Sequence, residues 1–226
     1  MSFTLPLFPL NTVMVPGLVL PLHIFEPRYR MMVRELLEIA DEESREFGIV
    51  ATKDGKSIEQ SGLDALHLVG TATVLRQADE TPDGRFDIVT TGSRRFRIES
   101  LDASQPLLRA EVNWLEDIEE SHTPELELLT NRAVADFVSY RAALSGQLEE
   151  TIASVNDMPE DPGVVSFLLT AAVVLPTAQR QEMLSAMSPS ERLTLARKFL
   201  KQETSMITTF HSIPALDLFS PEPSAN

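Results

Sequence analysis

Residues 81–101 read TPDGRFDIVTTGSRRFRIESL, and the alternation within them decides the fold class. Pro82 presets φ for a turn and Gly84 can take a positive φ, so Thr81 to Arg85 reads as a turn between two strands. Phe86, Ile88 and Thr90 alternate against Asp87, Val89 and Thr91, which is the period of a half-buried strand. Gly92-Ser93 reads as a second turn. Beyond it Phe96 and Ile98 alternate against Arg95, Arg97 and Glu99. A helix would scatter such a period-two pattern around its circumference.

The rest of the N-terminal half extends this reading. Leu5 to Leu10 is apolar and punctuated by Pro6 and Pro9, and Val13 to Leu22 contains the turn signal Pro16-Gly17 followed by Leu18-Val19-Leu20. Phe47 to Thr52, Leu66 to Gln77 and Leu107 to Leu115 complete the strand candidates, with a polar loop from Lys53 to Gly62. One helix interrupts them. Pro27 suits its first position and Glu26 its positive end, and Met31, Met32, Leu36, Leu37 and Ile39 recur at helical spacing. Short strands, tight turns and one helix imply an α+β chain with a mixed sheet or a small, partly open barrel at residues 1–116.

Composition changes at the acidic stretch from Glu116 to Thr123, which reads as a solvated junction. Residues 117–212 read as a helical bundle. Thr123-Pro124 opens a helix that runs to about Leu144 with Leu126, Leu129, Ala133, Phe137 and Tyr140 on one stripe. Asp161-Pro162 opens a second, Thr177 caps a third, and Ser188 with Glu191 forms a capping box for a fourth that continues toward Phe210. Residues 213–226, with Pro214, Pro221 and Pro223, read as a partly disordered tail.

The chain has 226 residues, a net charge of −15 and no cysteine. Residues 1–115 carry 12 basic and 17 acidic side chains. Nucleic acid and anionic lipid attract basic surfaces, so this balance argues against both. The lack of cysteine excludes disulfides and thiolate sites and suits a reducing, cytoplasmic setting. The longest apolar run, Val164 to Leu175, contains Ser166 and Thr170 and stops at Pro176, too short to span a membrane.

No phosphate-cradling loop, dinucleotide fingerprint, nucleophile elbow or H-E-x-x-H pair occurs. His23, His67, His122 and His211 lie far apart, whereas zinc ligands come in local pairs. Lys53, Lys56, Lys198 and Lys201 occupy polar or solvent-facing positions, unsuited to activating a serine. These residues imply no catalytic group, no metal and no cofactor. Arg94, Arg95 and Arg97 form a basic cluster, and Arg95 and Arg97 share one strand face. They could hold an anion or acidic partner, or pair across strands with Asp87 or Glu111.

Two segments, Leu5-Pro6-Leu7-Phe8-Pro9-Leu10-Asn11-Thr12-Val13-Met14-Val15-Pro16-Gly17 and Leu20-Pro21-Leu22-His23-Ile24-Phe25-Glu26-Pro27-Arg28-Tyr29, resemble the opening of the Lon N-terminal domain family. Gly70-Thr71-Ala72, Pro82-Asp83-Gly84-Arg85, Gly92, Arg94-Arg95-Phe96-Arg97-Ile98, Gln179 to Leu184 and Glu191-Arg192-Leu193 follow in the family's order, covering about residues 4–205. The chain looks like the small bacterial proteins that consist of this domain alone, without the ATPase or the protease. The resemblance implies a PUA-like β-rich subdomain followed by a helical bundle, and a non-catalytic module that binds polypeptide clients or a partner protein, assisting proteolysis or quality control. Against that expectation, His23, Phe25, Glu26, Arg28 and Tyr29 form the candidate surface, since aromatic and arginine side chains anchor interfaces. Phe25 and Tyr29 also fit a second role, stapling the helix to the sheet. An RNA-binding module is the alternative suggested by PUA-like folds and the arginine cluster, and the acidic charge argues against it.

Overall fold

The computed structural model describes residues 3–53, 61–145 and 158–210. The expected tail at 213–226 and most of the polar loop between Lys53 and Gly62 lie outside the described residues. The chain divides into two compact units, Met1–Glu116 and Asp117–Asn226.

The first unit contains β1 (Phe3–Leu10), β2 (Val19–Ile24), α1 (Pro27–Leu37), β3 (Glu46–Ala51), β4 (Val69–Glu80), β5 (Phe86–Asp102) and β6 (Arg109–Trp114). The strand order is β2-β5-β4-β3-β1-β6, and a further β5–β6 pairing closes five of the strands into a ring with β2 outside it. β1 runs parallel to β3, and every other pair is antiparallel.

β5 is continuous through Gly92-Ser93, so the turn expected there does not exist. Gly92 is needed for a different reason. A Cβ on it would stand 2.2 Å from the Val15 carbonyl oxygen. Gly17 (φ 80°) donates to the Gly92 carbonyl at 2.9 Å, and the Gly92 N–H donates to Leu18 O at 2.9 Å. Gly17 and Leu18 thus oppose Gly92 as a bulge with a left-handed first residue, a conformation glycine adopts at little cost. The Pro16-Gly17 turn does form, closed by Leu18 N–H donating to Val15 O at 3.2 Å. Between 86–91 and 96–102 the same edge of β5 passes from β2 to β6.

Two apolar clusters fill this unit. One gathers Leu5, Leu7, Val50, Ala72, Ile98 and Val112 around Phe96, which is fully buried. A Cβ on Gly48 would meet the Phe96 ring at 2.8 Å, and one on Gly70 would meet it at 2.5 Å and the Ile49 carbonyl oxygen at 2.6 Å. The other cluster packs α1 onto Phe8, Ile24, Phe47, Leu75, Phe86 and Ile88. The buried face of α1 is Tyr29, Met32, Val33 and Leu36. The stripe expected from Met31 and Leu37 is displaced by one position, and both are exposed. Two apolar registers overlap in this helix, and only the one containing Tyr29 and Val33 meets the sheet.

The second unit contains α2 (Pro124–Ser145), α3 (Pro162–Ala172), α4 (Thr177–Ser185) and α5 (Pro189–Phe210). Leu126, Ala133 and Tyr140 are buried along α2 against Val165, Leu169, Phe199 and Leu200. The Tyr140 hydroxyl accepts from Val174 N–H at 3.2 Å. α4 starts one residue earlier than it would with Thr177 as its cap, since Pro176 is the capping residue and Thr177 is already helical. At α5, Ser188 Oγ accepts from Glu191 N–H at 3.3 Å, while the Glu191 carboxylate reaches back to Met187 N–H at 2.7 Å.

The acidic stretch before α2 lies where the two compact units divide and is exposed apart from the half-buried Asp117, yet it is bonded into the helical unit. Ile118 N–H donates to Met187 O at 2.7 Å, and Glu120 accepts from Ser190 N–H at 2.9 Å at the N-terminus of α5. Burial works to raise the Glu120 pKa, but its bonds from Ser190 and Ser188 and the Arg192 charge hold it below the ordinary glutamate value. Asp117 accepts from the fully buried Arg192 at 2.6 Å. Arg192 also donates to Ser166 Oγ at 2.8 Å and Ala186 O at 3.1 Å, and lies 3.8 Å from the Phe167 ring centroid. Desolvation lowers the Arg192 pKa and the Asp117 carboxylate opposes that shift. A buried charge of this kind is tolerable only when its donors are satisfied.

Two expectations follow for stability. Gly48→Ala and Gly70→Ala each lower stability in urea unfolding, by about 1–3 kcal/mol for overpacking. Gly70→Ala is the worse, because the Ile49 backbone cannot move aside as a side chain can. Asp117→Asn leaves Arg192 without its carboxylate and lowers thermal stability by about 2–4 kcal/mol, the discount on a fully buried pair reflecting partial exposure of Asp117. Equal effects of the two alanines, or an unchanged melting curve for Asp117→Asn, would contradict these packing accounts.

Candidate functional site

β2 leads into α1 through Phe25 and Glu26. Glu26 is extended (φ −67°, ψ 136°) and Pro27 follows at the first helical position, where its missing N–H is harmless. The Glu26 carboxylate does not cap the helix. It turns to Arg28, with Nε and Nη2 each 2.8 Å from one oxygen. The Arg28 guanidinium lies 4.8 Å from the Tyr29 ring centroid.

His23 Nδ1 is 2.7 Å from the Asp87 carboxylate, its register partner on β5. The rings of His23 and Phe25 are stacked, 6.4 Å apart and 25° from parallel. Phe25 is 43% exposed, whereas Tyr29 is 6% exposed with its ring 4.2 Å from that of Phe8. The two roles open to these aromatics are therefore divided between them. Tyr29 staples α1 to the sheet, and Phe25 presents an apolar face to solvent. His23 is exposed beside it, and Glu26 and Arg28 are half-buried. Exposed ion pairs contribute only about 0–1 kcal/mol, so the His23–Asp87 and Glu26–Arg28 contacts orient side chains more than they stabilise the fold.

The arginine cluster is not one surface. Arg94 donates to Glu46 at 3.2 Å and lies 3.5 Å from the Trp114 ring centroid. Arg95 is 3% exposed, and Arg97 is exposed. The segment Val13–Val15 approaches this part of the sheet: Thr71, the register partner of Arg95, donates to the Met14 carbonyl at 2.7 Å. Asp87 is held by His23, and Glu111 accepts from the Thr4 hydroxyl at 2.6 Å. In the helical unit Asp136, Ser139, Lys201, Thr204 and Thr208 line a shallow polar depression. Its hydroxyls donate to carbonyls of their own helices, and Asp136 accepts from Arg197 at 2.7 Å. These are structural bonds.

Residue-by-residue reading of the sequence passed over the outer edge of β2. Only Pro21 signalled it, since proline inside a strand sits where no ladder N–H is needed. Val19 is 57% exposed there.

A ring of five strands with α1 packed against it, followed by a unit with four helices among the described residues, defines the class to which comparison assigns the chain. The family model for the substrate-binding domain of the ATP-dependent protease La (LON) matches residues 4–202, and the chain belongs to that family. The Lon protease of Escherichia coli (strain K12) is 27% identical over 206 residues, which are 90% of this chain and 25% of that protein. The Lon protease of Desulfovibrio desulfuricans is 26% identical across 91% of this chain and 23% of its own length. The chain thus spans about a quarter of the length of these relatives. The crystal structure of a Lon N-terminal domain protein from Xanthomonas campestris superposes with a TM-score of 0.60 at 26% identity, covering 85% of this chain and 95% of that one. The N-terminal domain of the Mycobacterium avium complex Lon protease shares the fold, with a TM-score of 0.63 at 22% identity over 90% of this chain and 98% of its own.

The division between Phe25 and Tyr29 is measurable. Tyr29→Ala removes a core ring and costs about 3–5 kcal/mol in urea unfolding. Phe25→Ala, at a partly exposed position, changes stability by about 1 kcal/mol or less. Comparable losses from both would mean that Phe25 is packing too.

Proposed function

We propose that this chain is a non-catalytic polypeptide-binding module that recognises segments of client proteins through the surface at His23, Phe25, Glu26 and Arg28. Tyr29 sets that surface from beneath. The observation that carries the reading is the exposed Phe25 ring, stacked with His23 at the end of an edge strand, in a domain whose family is described as substrate-binding. An exposed aromatic flanked by an arginine and a histidine suits an apolar segment with a few polar groups. Among the described residues no helix is long and apolar enough to cross a membrane. The cysteine-free composition suits the cytoplasm. RNA is the weaker partner: Arg95 is buried, Arg94 is engaged by Glu46 and Trp114, and the net charge is −15. The whole Lon protease's proteolytic activity resides in a protein about four times longer than the matched region, and it is not proposed for this chain.

Fluorescence anisotropy with a labelled, reduced and carboxymethylated α-lactalbumin tests the reading. Binding is expected for the wild-type chain, and His23→Ala/Phe25→Ala/Arg28→Ala is expected to weaken it at least about tenfold, since two or three anchors contribute about 1–2 kcal/mol each. Casein incubated with the chain stays intact. Binding that ignores the triple substitution would move the site elsewhere. Preferential, salt-sensitive binding of a single-stranded RNA would replace the reading altogether.

A further inference from the structure

Among the described residues β2 is paired on one side only, with β5. The bonded pair Leu18 and Gly92 sets the phase. Counting from it along the antiparallel register, Leu20, Leu22 and Ile24 direct their main-chain groups at β5. Val19, Pro21 and His23 direct theirs away from it. The outer edge of β2 therefore offers the N–H and C=O of Val19, the C=O of Pro21, and the N–H and C=O of His23. None of these groups finds a partner among the described residues.

Natural edge strands are usually blunted by charge or covered. The outward side chains of β2 are Val19, Pro21 and His23, and the same alternation continues to Phe25. Val19 and Phe25 are 57% and 43% exposed. The end of β4 differs: Arg76 pairs with Glu43, and Glu80 with Arg34 at 2.7 Å. The edge of β2 is apolar and open where that of β4 is charged and engaged.

We propose that the outer edge of β2 binds an extended polypeptide segment by strand addition, with apolar side chains beside Val19 and Phe25 and a lysine or arginine near His23. This deepens the proposed function and rests on it. Main-chain donors and acceptors in a row recognise another extended main chain, and alternate side chains supply preference. The basic residue follows from charge. His23, Asp87 and Asp79 form one row across β2, β5 and β4, with Asp79 and Asp87 directly opposite each other. Like charges so placed repel, and Asp87 remains 62% exposed despite His23. A second copy of this chain is a poorer occupant. A symmetric antiparallel pairing about Pro21 would set two prolines face to face, and both central N–H donors would be missing. A peptide strand loses one bond at that position.

The probe is a ten-residue peptide of alternating valine and threonine with one central lysine, titrated against the full chain. Strand addition predicts that N-methylation of its edge-facing amides weakens binding about tenfold or more, and that N-methylation in the opposite phase changes it less than about twofold. Amide hydrogen exchange should slow at Val19 and His23 on binding, with Leu20 and Leu22 unchanged. Val19→Pro removes one outward N–H; because that variant could also perturb β2, the exchange measurement on the wild-type chain stands beside it. Insensitivity to the phase of methylation, or protection confined to α1, overturns the proposal. So does a concentration-dependent dimer that the peptide displaces, which would make a second copy the natural occupant. If the carboxymethylated lactalbumin binds and the strand peptide does not, strand addition is wrong while the polypeptide-binding reading stands. If neither binds, both fall.

Discussion

Phe96 sits where β5 is paired on both sides, opposite Gly70 on β4 and Trp114 on β6. Its ring occupies the space that a Cβ on Gly70 or Gly48 would need. Two strands that carry no side chain at these points let one aromatic fill the middle of a ring too narrow for three larger groups. β5 then has a fixed pivot. N-terminal to it, its free edge takes β2; C-terminal to it, the same edge takes β6 and closes the ring. Between the two, Gly92 admits the Val15 carbonyl, and the bulge at Gly17 delivers the chain into β2. The position and openness of β2 thus trace back to how β5 is shared.

Local signals were legible in the sequence, and long-range ones were not. Pro27, Pro124, Pro162 and Pro189 each mark a helix start, because a proline's fixed φ and missing N–H act on the residue itself. The alternation around Phe86 and Phe96 identified strands for the same local reason. Gly92 was misread because the same residue type serves a turn and a close backbone approach, and only the partner at Val15 distinguishes them. The parallel pairing of β1 with β3 leaves no local trace at all. Within the candidate site, Phe25 and Tyr29 are chemically alike and four residues apart. Phe8 decides between them, and it lies in a different strand.

The helical unit teaches the same lesson through charge. An arginine on a helix is read by default as solvent-facing, and a run such as Glu116 to Glu120 as a solvated loop. Here Arg192 is buried and Asp117 reaches it, so each explains the other. Glu120 adds its carboxylate to the start of α5, where the helix N-terminus favours negative charge. Neither half of this arrangement is legible alone, since the reason for burying the cation is the anion 75 residues away. Asp117 and Glu120 therefore serve the fold as well as carrying charge.

Charge also bears on how so acidic a chain could hold varied polypeptides. A surface that selected clients by charge would favour basic ones and vary steeply with salt. Main-chain recognition along an edge strand is indifferent to most side chains, which is what a module for diverse client segments requires. The proline at the centre of the edge fits that use: it removes one donor and so weakens pairing between identical chains more than pairing with a foreign strand. In the proposed strand addition, Phe25 and the His23–Asp87 pair would impose only a mild preference, for an apolar residue and a cation at neighbouring positions. On this reading low specificity follows from where the recognition lies, in the backbone of β2, and the tightly packed ring beneath it keeps that backbone extended before any client arrives.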